Sequence, residues 1–163
     1  MTNLFYTGVG SRNTPHYFCN LMTKVAKRLD DLGYTLRSGG ASGADTAFER
    51  GTNRKEIYLP WKGFNGNNSD LYNIPNEAYN IAADIHPRWK DLAIYVRKLH
   101  ARNVLQVLGL YLDNPSKFLV CWTKDGKEIG GTRTAIVLAR EYNIPVINIA
   151  KDDVKKIGEI VYG

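Results

Sequence analysis

The chain has 163 residues, 44% of them hydrophobic, with a mean hydropathy of -0.34. That suits one core in a single domain, 1–163, and excludes collagen-like, disordered and membrane-spanning classes. The net charge of +6 favours anionic partners, and the 2 cysteines and 3 histidines lack metal-ligand spacing.

In chain order, Leu4 to Thr7 reads as a first strand that ends at Gly8. Thr14-Pro15 is a helix-start signal, an N-cap followed by proline at the first helical position. Phe18, Leu21, Met22, Val25, Ala26, Leu29 and Leu32 recur at helical spacing until Gly33 stops them. Tyr34 to Ser38 is a second strand, Asp45 to Arg50 a short helix closed by Gly51, and Glu56 to Leu59 a third strand ended by Pro60. Short apolar strands separated by helices predict a parallel sheet covered on both faces.

Trp61 to Asn76 breaks this rhythm with a polar, turn-rich loop that either covers a ligand or is a surface insertion. Helices are expected over Pro75 to Asp84 and over Pro87 to Gly109. In the second, the apolar stripe shifts at His100-Ala101-Arg102-Asn103, which predicts a kink or a new helix start. Phe118 to Trp122 is a fourth strand, Ile136 to Tyr142 lies in a helix, Val146 to Ile149 is a fifth strand, and a short helix follows Asp152. Cys19 and Cys121 fall inside apolar patterns and read as buried thiols.

Three glycine-rich turns stand where strands hand over to helices: Gly8-Val9-Gly10-Ser11-Arg12, Ser38-Gly39-Gly40-Ala41-Ser42-Gly43-Ala44-Asp45, and Gly130-Gly131-Thr132-Arg133-Thr134-Ala135. At such positions unpaired N–H groups and the helix dipole favour an anion, and glycine lets a ligand approach the main chain. Phosphate binding at these turns is therefore expected, tight βα turns being the plain alternative. Arg12, Arg102 and Arg133 flank them and suit bidentate phosphate contacts. Asp45 is explained either as an acid at a helix N-terminus or as a catalytic carboxylate.

With these residues in place, the chain resembles the SLOG superfamily, which includes the DNA-processing protein A (DprA) fold and the LOG phosphoribohydrolases. Ser38 to Asp45 is similar to the family's S-G-G-A-x-G-x-D turn, Arg102-Asn103 to its R-N pair, and Gly131 to Ala135 to the G-[ST]-x-x-T-A turn of the DprA branch, one residue shorter. Leu59-Pro60-Trp61 and Cys121-Trp122-Thr123 add a likeness to small SLOG proteins of bacteriophages. The resemblance implies an α/β, Rossmann-like three-layer αβα domain with a mostly parallel sheet in strand order 3-2-1-4-5. It further implies a ligand site of Gly8, Gly10, Ser11, Arg12, Ser38, Gly39, Gly40, Ser42, Gly43, Asp45, Arg102, Asn103, Gly130, Gly131, Thr132, Arg133 and Thr134.

The LOG hydrolases carry P-G-G-x-G-T-x-x-E, and aligned on Gly130-Gly131 this chain has Arg133 at the third glycine and Val137 at the glutamate. Valine neither stabilises an oxocarbenium ion nor activates water, so binding is expected over hydrolysis. If the chain is an enzyme after all, an N-glycosidase on nucleoside monophosphates, Asp45 and Glu49 are the candidate carboxylates. The expected ligand is a nucleotide-type small molecule; the alternative is DprA-like binding of single-stranded DNA, for which Trp61, Phe64, Trp122 and the positive charge are suited. No cofactor, metal or membrane partner is expected, since no apolar run nears ~18 residues and no signal-peptide layout is present. The chain is expected in the cytoplasm, the host's if phage-encoded, as a homo-oligomer.

Overall fold

The structure is a computed structural model that describes residues 4–163. Five strands, β1 (Phe5–Gly8), β2 (Thr35–Ser38), β3 (Lys55–Ile57), β4 (Leu119–Cys121) and β5 (Val146–Asn148), form one sheet in the order β3-β2-β1-β4-β5. Every pairing is parallel, with Tyr6 opposite Leu36, and Thr7 opposite both Arg37 and Leu119. Six helices cover it: α1 (His16–Asp31), α2 (Ala44–Arg50), α3 (Asn76–Ile85), α4 (Ile94–Leu108), α5 (Thr132–Glu141) and α6 (Lys155–Tyr162). This is the Rossmann-like three-layer arrangement with the expected strand order.

Successive strand residues feed two cores, one on each face. Tyr6, Leu36, Phe118 and Val120 pack with Met22, Leu29 and Phe48 of α1 and α2. Leu119 and Cys121 pack with Ala101, Val104, Ala135 and Leu138 of α4 and α5. Both faces being covered explains why the strands read as continuous apolar runs rather than as alternating ones. Strand order reverses between β1 and β4, and the crevice at the carboxyl edge opens there.

Three local expectations are corrected. The first long helix begins at His16, with Pro15 extended at ψ 149° in the cap position. Thr14 Oγ1 does not cap it, because it donates to Ser11 O at 2.6 Å and so holds the turn after β1 instead. The expected helix Pro87 to Gly109 is a 3-10 turn (Trp89–Asp91), an extended pair and then α4. No break falls at His100 to Asn103. The apolar stripe shifts there because α4 passes from half-exposed, up to Leu99, to buried on all sides from His100 to Leu108.

The segment between β3 and α3 folds back onto the sheet edge. Leu59 N donates to Leu71 O at 2.8 Å, and Ser69 Oγ donates to Ile57 O at 2.5 Å. Its short 3-10 turn, Phe64–Gly66, then lies against the second glycine turn, where Asn65 Nδ2 donates to Gly40 O at 2.9 Å.

Candidate nucleotide-phosphate cleft

A cleft of about 550 Å³ opens at the carboxyl edge, between the turn after β1, the face of α4 and the start of α5. The three glycine turns do converge. Gly43 packs against the Ser11 and Arg12 carbonyls, Ala44 N donates to Ser11 O at 3.3 Å, and Ser11 N donates to Trp122 O at 3.1 Å. Of the residues expected from sequence, Gly10, Ser11, Arg12, Asp45, Arg102, Asn103, Gly130, Gly131 and Thr132 line the cleft.

The other expected residues do not line it. Ser38 Oγ donates to Gly8 O at 2.6 Å, tying β2 to β1. Gly39 lies under Arg102 and Gln106, Gly40 faces a smaller cleft, and Ser42 is exposed. Arg133 donates to Ile85 O at 3.3 Å, and Thr134 shares a 2.8 Å hydrogen bond with His100 Nδ1. Glu49 lines that smaller cleft of about 280 Å³, paired with Lys55 at 3.1 Å.

The three turns differ in what they offer an anion. In the first, the N–H groups of Val9 and Ser11 bind strand β4 and its extension, and Asn13 N donates to Ser11 Oγ at 3.0 Å. In the second, Ala41 N donates to the Asp45 carboxylate at 3.3 Å and Ala44 N to Ser11 O. With its oxygen turned inward, the Gln106 amide accepts from Gly39 N at 3.1 Å. In the third, the N–H groups of Gly130, Gly131 and Thr132 meet no protein acceptor among the described residues. Thr132, a residue nine-tenths buried, lines the cleft and adds a hydroxyl. The start of α5 is thus the cleft's longest run of open donors, beside the single N–H groups of Gly10 and Arg12 in the first turn.

Arg102 is buried, and its guanidinium is already engaged. Nη1 donates to Gly39 O and to Tyr58 O, the latter at 3.0 Å, and Nε donates to Asn103 Oδ1 at 2.9 Å. Phe64 covers it with its ring centroid 5.5 Å away. Burial lowers its pKa to about 10, offset by the Asp45 carboxylate. Asn103 Nδ2 in turn donates to Gly131 O at 2.8 Å, so this pair binds the second turn to the third.

Two titratable groups in the cleft are displaced by burial. Asp45, 5% exposed, is pushed up to about 6 by desolvation, against the pull of Arg102 and the turn's donors. His100 is lowered to about 4 by desolvation, with His86 and Arg102 adding to the effect, and is neutral near pH 7. The His86 ring stands edge-on to it at 4.7 Å.

Apolar Val96, Leu99, Ile129 and Trp122 also line the cleft. Val96 and Leu99 carried a sequence signal only as a helix stripe, and a stripe does not say whether it faces core or cleft. Lys124 at the rim gave no signal at all, since it follows β4 outside any glycine turn. Of the aromatics, Trp61 is 37% exposed and edge-on to Phe64, while Trp122 is buried beside Phe18.

No family model and no curated protein matches the chain. Among solved structures, it is similar in fold to DNA processing protein A from Helicobacter pylori, a structure described for its single-stranded DNA binding mode. The TM-score is 0.59 at 21% identity, over 89% of this chain. The match spans 64% of the length of that protein's chain.

Proposed function

We propose that this cleft binds the phosphates of single-stranded DNA. The observation that carries the reading is the open donor wall: three successive N–H groups and a buried hydroxyl at the start of α5, with the cations Arg12 and Lys124 at the same cleft. Donors fixed before the ligand arrives need no reordering, and cations at the rim release counterions from a polyanion. Apolar Val96, Leu99 and Ile129 in the same cleft suit a sugar or base face. The fold likeness to a protein described as binding single-stranded DNA, and the net charge of +6, support the polymer as ligand. A free nucleotide is the second reading, favoured by the size of the cleft, which at about 550 Å³ is in the range of small-molecule sites.

Fluorescence anisotropy with a labelled thymidine oligomer tests it. Saturable binding is expected, weakening steeply with salt, and the double variant Arg12→Ala/Lys124→Ala should lose about tenfold or more in affinity. Equal affinity for a blunt duplex of the same length would overturn the single-strand reading, and no effect of the double variant would overturn this cleft as the site. Binding of the mononucleotide as tight as the oligomer would favour the second.

A further inference from the structure

Asp45 is a buried acid in a cleft whose other charged side chains are the cations Arg12, Arg102 and Lys124. Its Oδ2 accepts from Ala41 N at 3.3 Å, within the second glycine turn. A turn of this kind, at the carboxyl edge of a parallel sheet, is where a phosphate would be held by the main chain. Here that role is filled from inside the protein. Gly39 N is taken by the Gln106 amide and Ala44 N by the Ser11 carbonyl, while Gly40, Ser42 and Gly43 do not line this cleft. The longest run of open donors stands at the start of α5, at Gly130 to Thr132.

We propose that Asp45 is a specificity-determining residue: its carboxylate occupies the second turn as an internal anion, confines the ligand's phosphate to the start of α5, and so selects nucleotides with one phosphate over those with two or three. This rests on the reading of the cleft as a nucleotide-phosphate site. A phosphodiester strand has one charge per nucleotide and satisfies the rule. Asp45 lines the same cleft as the α5 start, so the second phosphate of a pyrophosphate held there lies in the field of a carboxylate shielded from water. Two such anions at short range in a poorly solvated site repel strongly. The carboxylate also leaves room for a hydroxyl or amino donor, which a sugar or base supplies.

The selection should depend on pH. Charged and titratable groups sharing the cleft with Asp45 are Arg102 and His100 from α4, Arg12 from the turn after β1, and Lys124 after β4. Arg102, lowered only to about 10, keeps its charge from pH 5 to 8, and His100 is neutral over that range because burial lowers it to about 4. Asp45, raised to about 6, is the group that changes: charged at pH 8, mostly protonated at pH 5.

The experiment is calorimetric titration of the whole chain with thymidine mono-, di- and triphosphate and with a thymidine oligomer, at pH 8 and pH 5. Wild type should bind the monophosphate and the oligomer at pH 8, with the triphosphate at least tenfold weaker, and the gap should narrow severalfold at pH 5. Asp45→Asn should remove the gap at pH 8 by strengthening triphosphate binding. Equal affinity of wild type for mono- and triphosphate at pH 8, or a gap unchanged by both pH and Asp45→Asn, would overturn the proposal while leaving the phosphate site standing. If Asn at this position prevents folding, the wild-type pH series decides when run with ligands whose terminal phosphates are methyl esters, because the second phosphate ionisation at about pH 6 is then removed. Failure of wild type to bind the oligomer or any mononucleotide at either pH would overturn the cleft reading itself, and the proposal with it.

Discussion

Arg102 and Arg12 carry the same charge and do different work. Arg102 donates to the carbonyls of Gly39 and Tyr58, which end β2 and follow β3, and so closes two strand ends against α4. Removing it strands two buried acceptors and leaves Asp45 without its cation. Such losses are worth on the order of 3 kcal/mol. Arg12 is exposed at the rim. We therefore expect Arg102→Ala to lower the melting temperature by ~10 °C for a domain of this size, whatever it does to binding. Arg12→Ala should leave the melting temperature within ~2 °C and reduce the salt slope of DNA binding by about one ion. Thermal melts of the two variants, paired with binding at several salt concentrations, check this. A stable Arg102→Ala that binds poorly would make Arg102 a ligand-contacting residue instead.

At the scale of elements, the second glycine turn works because Gly43 meets other backbone. Gly43 has φ 81°, and a Cβ there would lie 2.5 Å from the Arg12 carbonyl oxygen. The close approach lets the first and second turns share one wall, with α2 starting directly behind it. Gly66, in the loop that leans on Gly40, has a similar φ of 73° but open space around it. Gly43→Ala combines left-handed strain with overpacking and should cost ~3 kcal/mol, whereas Gly66→Ala carries only the strain, ~1 kcal/mol. Urea unfolding of both variants would separate the two contributions. Equal losses would mean that the turns are not in contact.

For the whole molecule, the doubly covered sheet determines which groups solvent can reach. Cys121, at the end of β4, is fully buried beneath α5, and burial pushes its thiol up to about 12. Cys19 is buried on the other face, in α1. A thiol of that kind reacts only after the layer over it opens. In a Cys19→Ser background, labelling of Cys121 at pH 8 should therefore follow global unfolding, with the same urea dependence. Labelling of the folded protein at the rate of a free thiol would show that α5 opens on its own, and would weaken the view of its N-terminus as a fixed donor wall.

Strand order, the alternation of strands with helices and the place of the glycine turns were legible in the chain, because apolar period, turn residues and resemblance are local and point the same way. The burial of Cys19 and Cys121 was legible for the same reason. Tertiary structure decided what the turns have left to offer. Sequence marks Ser38 to Asp45 and Gly130 to Thr134 alike as places with unpaired N–H groups. Whether those groups stay unpaired depends on acceptors the fold presents: Gln106, far along the chain, for Gly39, and the Asp45 side chain, turned back within its own turn, for Ala41. The stripe on α4 shifted because the helix enters the core, not because it bends, and burial on all sides has no period to read. Arg102 drew notice as a cation beside a turn, yet its partners are two carbonyls brought to it by the ends of β2 and β3. Hydrogen-bond satisfaction is a property of the assembled sheet edge, so only the folded chain shows which donors remain for a ligand.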